Sequence, residues 1–320
     1  MQNMQTMIRL EDLQTMEQWE RVAALRNRHS PEEPSTATQL RNFAAAQPEG
    51  IPRRRVLITD GDRDIAYLLV TQAHWTNEPD LFIFVITPED SDHAAQIALA
   101  NAEEIGQAFG AKKFACWTRS DKHAMVQALE GAGYIEGQHN PMSMIDLEKF
   151  DPAPWLEYVE SAVQNGYRIV DLKSLSDEFP GDWMRRSWAL EMSIMKDVPM
   201  PEPFEGISFE QWKSDFQANP IRLDWHHYAV FDGEWVGLSQ INCNFCDPTL
   251  GHTGLTGVAR DHRRKRLASA LKGAALARVK AEGVTKVFMD NEENNPMFQI
   301  NQQIGVVTCY EYVHYSRACD

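Results

Sequence analysis

The chain has little cysteine, no long apolar run and too few basic residues to balance its acids. Five cysteines, at 116, 243, 246, 309 and 319, are spread over 320 residues. An odd, sparse set in a chain of this length fits reduced thiols and excludes a disulfide framework. Cys243-Asn244-Phe245-Cys246 has CxxC spacing. A zinc site there would need further ligands, and although His252 is near, no second pair at matching spacing exists. A redox CxxC sits at a helix start, whereas this one lies in a strand-like stretch. No metal is therefore expected. No stretch approaches the roughly 18 apolar residues that a membrane helix needs. The first seven residues, Met1 to Met7, lack the basic start and apolar core of a secretion signal. The expectation is a soluble, cytoplasmic protein with no membrane partner.

The shortage of bases, 31 Lys and Arg against 46 Asp and Glu, leaves a net charge of −15. Nucleic acid is a poor partner for such a surface. The deficit is uneven, because residues 251–320 carry ten basic and seven acidic side chains, and the rest carries 21 and 39. A small anionic ligand in one basic pocket, with a cationic substrate drawn to the acidic part, fits that distribution.

What is present is a basic run where a helix begins. Arg263-Arg264-Lys265-Arg266 lies within residues 260–280, which hold eight Lys or Arg and one acid, Asp261. A helix start carries partial positive charge and free N–H groups, so cations are unfavourable there. A solvated turn, a nuclear-import patch or a nucleic-acid patch would each account for the run by itself. Its flanks favour a bound phosphate instead. Upstream, Gly254-Leu255-Thr256-Gly257-Val258 reads as the end of a strand. Downstream, Leu267, Ala270, Leu271, Ala274 and Ala275 recur at helical spacing as a narrow apolar face.

The segment Phe150-Asp151-Pro152-Ala153-Pro154 reads as a joint, and the sequence on its two sides follows one order: helices, hairpin, strand, turn, long helix, strand, helix, closing strands. The first half reads as helices around residues 10–30 and 37–47, a hairpin turning at Asp60-Gly61-Asp62, and a long helix from about His93 to Phe109. The second reads as helices near 183–195 and 208–217, a hairpin at Asp232-Gly233, and the helix after the basic run. The expected class is α/β (α+β), with two tandem domains, 1–150 and 151–320, each a mixed, mostly antiparallel sheet flanked by helices.

Two motifs resemble the GNAT superfamily of acyl-CoA-dependent N-acetyltransferases in its tandem form, with mycothiol-synthase-like relatives. One is Val258-Ala259-Arg260-Asp261-His262-Arg263-Arg264-Lys265-Arg266-Leu267-Ala268, similar to the strand–turn–helix signature Arg-x-x-Gly-x-Gly/Ala. The other is Asp290-Asn291, Asn295-Pro296-Met297, Asn301 and Gly305-Val306. Asp197-Val198-Pro199 also resembles an acceptor-loop element of the group. The resemblance implies acetyl-CoA as acyl donor, a small-molecule amine as acceptor and direct attack without an acyl-enzyme. It leaves the number of chains in the assembly open. It places Gly257, Val258 and Ala259 on the pantetheine arm, the Arg263, Arg264, Lys265, Arg266, Leu267 and Ala268 segment on the pyrophosphate, and Asn295 on backbone or pantetheine. Arg266 stands where the family has Gly. In the first half Asp90 and Asp92 align with His262 and Arg264. Carboxylates cap helices and repel phosphate, so 1–150 reads as a degenerate, structural copy.

Acyl transfer needs a neutral amine, a stabilised carbonyl oxygen and a thiolate that can accept a proton. The tyrosine that the family uses as acid falls at Asn301, a weaker hydrogen-bond partner, and Tyr310 and Tyr312 are nearby substitutes. Glu191, Asp197 and Glu234 are candidate bases by position, with His226-His227 as a further pair. The rival readings are a donor with another acyl chain and a non-catalytic CoA-binding sensor or scaffold.

Overall fold

A computed structural model describes residues 7–319, so residues 1–6 of the segment read for a secretion signal lie outside it. The chain forms two compact units. One runs to Asn140 and includes Pro201–Pro203 and Tyr310 onward; the other is Pro141–Met200 with Phe204–Cys309. The units are thus not consecutive halves of the chain.

The first unit contains β1 (Ile8–Asp12), α1 (Met16–His29), α2 (Ala37–Ala46), β2 (Arg53–Asp60), β3 (Arg63–Gln72), β4 (Leu81–Pro88), α3 (Asp92–Ala108), β5 (Lys113–Arg119), α4 (His123–Gly131) and the start of β6 (Ile135–Asp146). α1 begins with a reciprocal capping box between Thr15 and Gln18. The β2–β3 hairpin turns at Gly61, whose φ of 63° suits glycine. α3 lays Ala94, Ala95, Ala98 and Ala102 on Phe82, Phe84 and Phe114. Gly106 completes this contact, because a Cβ there would lie 2.7 Å from the Phe114 ring.

The second unit contains α5 (Ala153–Gln164), β7 (Arg168–Asp171), α6 (Leu172–Glu178), α7 (Trp183–Met195), α8 (Phe209–Gln217), β8 (His227–Phe231), β9 (Glu234–Cys243), β10 (Leu250–Val258), α9 (Leu267–Ala281), β11 (Lys286–Asp290), α10 (Pro296–Ile304) and the start of β12 (Val307–Ala318). Asp232 and Gly233, both left-handed, close the β8–β9 hairpin. α9 packs on α5, where Gly273 leaves no room for a Cβ beside Trp155. Its buried face includes the expected Leu267, Ala270, Leu271 and Ala275, but Ala274 stays part-exposed.

Both units have a mixed, mostly antiparallel sheet, as the sequence led us to expect. The strand order is β1-β2-β3-β4-β5-β12 in the first and β6-β11-β10-β9-β8-β7 in the second. Each sheet has one parallel pair, β4 with β5 and β10 with β11. β10 and β11 pair only from Leu250 to His252, so the rest of β10 diverges from its neighbour. The edge strands β1 and β7 are additions to the sequence reading. Each is short and pairs on one side only. Among the described residues no helix is long and apolar enough to cross a membrane.

Candidate functional site

β10 is bent before it reaches the site. Thr253 pairs with Ile241 and Thr256 with Ser239, so Gly254 and Leu255 together face Gln240 in a β-bulge. A Cβ on Gly254 would lie 2.9 Å from Gln240 Oε1. Past the bulge, Gly257 meets α7: an added Cβ would stand 2.3 Å from Ile194 Cγ2. Both glycines are therefore positions of close approach, the usual meaning of glycine inside a strand.

A short 3₁₀ turn, Arg260–His262, leads from β10 to α9. Arg264 and Arg266 then take left-handed conformations, with φ of 61° and 60°. Such a conformation costs an ordinary residue about 1–2 kcal/mol relative to the right-handed one. Glycine adopts it freely, so Arg266 takes the backbone shape expected of the Gly in the motif that this segment resembles. Alternating left-handed residues turn successive N–H groups toward one side, the geometry of an anion nest. The N–H groups of Arg264, Lys265, Arg266, Leu267 and Ala268 have no partner among the described residues. No side chain caps α9.

The cationic side chains divide. Lys265 Nζ donates to Tyr167 Oη at 3.0 Å, and that hydroxyl lies 3.0 Å from His262 Nδ1. Arg266 donates to Tyr158 Oη at 3.0 Å and lies over that ring. Arg263 Nε donates to the Val258 carbonyl at 2.9 Å, and its guanidinium also reaches Asp197. Asp197 accepts from Arg260 Nε at 3.0 Å as well. Arg260 first, then Arg263, holds the Asp197 carboxyl well below the usual carboxylate range. Arg264 has no side-chain partner among the described residues.

These elements enclose a cavity of about 440 Å³. Of the residues expected to hold a cofactor, Gly257, Val258, Arg263, Arg264, Arg266, Leu267, Ala268 and Asn295 line it. Ala259 and Lys265 do not: the Ala259 N–H is used by the Val236 carbonyl, and the Lys265 amine is drawn to Tyr167. Asn295 caps α10, accepting from the Met297 N–H at 2.9 Å. Ile194, Asp197 and Val198 close the α7 side; Pro296, Met297 and Ile300 close the α10 side.

The three expected catalytic residues are elsewhere. Asn301 is 1% exposed, accepts from Lys272 Nζ and donates to Asn291 Oδ1, so its side chain is consumed inside the protein. Tyr310 belongs to the first unit, where its ring carries the Arg119 guanidinium at 3.6 Å. Tyr312, also in that unit, stands edge-on to it. Glu191 lies behind the cavity wall and accepts from Ser187 Oγ, Trp212 Nε1 and Gln240 Nε2 at 3.1, 2.9 and 2.8 Å. Burial raises its pKa against the pull of those donors. Of the other candidates, Asp197 is held by two arginines, Glu234 is exposed at a hairpin, and His226 is 2% exposed with a pKa pushed down to about 4 by burial.

Sequence reasoning missed Tyr158, Tyr167, Gln240 and Ile194. Only the strand glycines gave a signal, since Gly254 and Gly257 mark where Gln240 and Ile194 press on the backbone. It also missed Lys272, which is 2% exposed and whose pKa burial lowers to about 7. Nothing in the chain's spacing separates it from the surface lysines.

A bulged strand diverges from its parallel neighbour and leads to a helix start whose N–H groups have no partner among the described residues. Residues 186–299 match the model of the Acetyltransferase (GNAT) family. That segment holds the bulged strand, the basic turn and most of the cavity lining. Residues 186–299 therefore form a GNAT acetyltransferase domain within the chain. Solved structures share the fold over nearly the whole chain. A GCN5-related N-acetyltransferase from Sphaerobacter thermophilus aligns with a TM-score of 0.71 at 17% identity, covering 97% of this chain and 95% of its own. A tandem GNAT protein from the clavulanic acid biosynthesis pathway aligns at 0.69 and 16%, covering 98% of both chains. A GNAT-family acetyltransferase from Colwellia psychrerythraea aligns at 0.58 and 11%, over 96% and 99%. No curated protein matches the chain.

Proposed function

We propose that the second unit transfers an acetyl group from acetyl-CoA to a small-molecule amine by direct attack. The observation that supports this most is the run of five N–H groups, Arg264 to Ala268, without a partner among the described residues, at an uncapped helix start beside a cavity. Five such donors converging at one point are met by water or by an anion, and a diphosphate suits a left-handed nest at a helix N-terminus. Arg264 would add a charge-assisted contact. The apolar channel between Gly257 and Met297 would take the pantetheine arm, with Gly257 permitting its approach to the strand.

In the reaction a neutral amine forms a C–N bond with the acetyl carbon as the C–S bond breaks. The thiolate leaves and gains a proton, and the amine loses one. Asn301 and Glu191 touch other protein groups, and His262, which lines the cavity, is already bonded to Tyr167. Positioning of the two reactants therefore supplies most of the acceleration, for which well-oriented reactions provide up to about 7–11 kcal/mol. A thiol of pKa about 8.5 leaves readily without strong acid help. The acidic remainder of the chain favours cationic acceptors, polyamines and amino sugars among them.

The test is thiol release from acetyl-CoA across a panel of amines, with CoA and acetyl-CoA binding measured in parallel. Saturable release with at least one amine supports the transferase. Tight CoA binding with no release from any amine supports the sensor reading, which the loss of a tyrosine at position 301 favours.

A further inference from the structure

We propose that Glu191 and Gln240 are positioning residues that hold the β10 bulge open, and that Glu191 is not the base. This rests on the acyl-CoA reading of the cavity.

The bulge creates a local problem. Opposite Gln240 the strand inserts an extra residue, so one N–H loses its place in the ladder. That N–H belongs to Leu255. It donates to Gln240 Oε1 at 3.1 Å, across the space left by the missing Gly254 side chain. Gln240 thus uses its side chain to satisfy a group that its own main chain no longer pairs. Left alone, a part-buried N–H of this kind costs up to about 1–3 kcal/mol, which favours closing the bulge.

The other end of Gln240 fixes its orientation. Its Nε2 donates to Glu191 Oε1 at 2.8 Å, which forces Oε1 of the amide toward Leu255. Glu191 is held in turn by Trp212 Nε1 and by Ser187 Oγ, whose partner Tyr228 lies 2.6 Å away and fully buried. The chain runs from α8 and β8 through α7 to β9 and ends on the strand that lines the cavity. A carboxylate accepting three hydrogen bonds away from the cavity lining is placed to hold other groups in position.

The readouts are CoA affinity by calorimetry, kcat for the best amine, and hydrogen exchange at the Leu255 amide. Gln240→Leu removes the acceptor; Gln240→Asn, too short to reach, is milder. Both should speed Leu255 exchange by about tenfold or more and weaken CoA binding by about tenfold. Glu191→Leu should do the same to a smaller extent. Glu191→Gln keeps an oxygen for Gln240 and should leave affinity and kcat within about threefold of wild type, whereas loss of a general base costs about 100-fold or more. A large kcat loss in Glu191→Gln with unchanged CoA affinity would overturn the proposal. So would unchanged Leu255 exchange in both Gln240 variants. If the wild type binds no CoA, the acyl-CoA reading fails, and Leu255 exchange alone still decides whether the bulge is held in this way.

Discussion

The helices α3 and α9 follow equivalent parallel strands and begin in opposite ways. Three residues, 89–91, join β4 to α3; eight, 259–266, join β10 to α9. Ser91 caps α3 in an extended conformation, its Oγ accepting from the Ala94 N–H at 3.2 Å, with Asp92 in the first turn. Arg266 begins α9 in a left-handed conformation and caps nothing. Counted from the caps, Ser91 corresponds to Arg266, so the sequence alignment of Asp92 with Arg264 is corrected by the shorter loop. The strands differ in the same sense. Where β4 and β5 diverge, the cleft of about 130 Å³ is bordered by Arg119, which is buried and paired with Glu32 and Asp121. The corresponding opening in the second unit is the cavity of about 440 Å³. One copy caps its helix start with a side chain, and the other leaves the N–H groups there without a protein partner among the described residues.

The sharpest way to break this contrast is to close the open copy. Gly257→Val places carbon onto Ile194. Overpacking of this kind costs about 1–3 kcal/mol, and CoA binding should fall below detection. Adding Ile194→Ala should recover part of both, as measured by thermal unfolding and calorimetry. Next in size, Arg264→Ala should weaken CoA binding by about tenfold with stability unchanged or slightly raised. Asp92→Arg in the first unit should leave the stoichiometry as it was, since Ser91 and the short loop still occupy the helix start.

A pair of cap substitutions should move stability in opposite directions. Ser91→Ala removes a cap and should cost about 1 kcal/mol. Arg266→Asn supplies a residue that tolerates the left-handed region and caps helices, and should add several tenths to about 1 kcal/mol. Denaturant midpoints would show the difference. Equal losses at both sites would mean that the Arg266 conformation is not strained.

Lys272 supplies a test that reads pH dependence in place of a single stability. Its folded-state pKa is lowered to about 7 by burial, so above that value the folded state binds less proton than the unfolded chain. Stability should therefore rise as pH increases from about 7 toward the ordinary lysine range near 10.4. Lys272→Met should flatten that rise. In the first unit His29, pushed down to about 4 by burial, should make stability fall as pH drops from about 6.5 to 4.

The sequence carried the fold through its repeated order of elements and the hairpin turns at Gly61 and Gly233. It carried the cavity through the misplaced cations and the glycines of β10. It could not place side chains that act across long chain separations. Tyr158 and Tyr167, about a hundred residues from the turn, decide that Arg266 and Lys265 face α5 and the loop after it, while Arg264 has no side-chain partner among the described residues. Asn301 was read from its offset to Gly305, but its buried partner Lys272 sits on another helix. Tyr310 was read as part of the second half, but its strand crosses between the units at that residue. β1 and β7 escaped because four or five residues carry too little periodicity to register.

Calorimetric titration of the intact chain with CoA tests the contrast between the two copies most directly. One site per chain is predicted, with affinity reduced by Arg264→Ala and untouched by Asp92→Arg. Two sites per chain, or none, would contradict it.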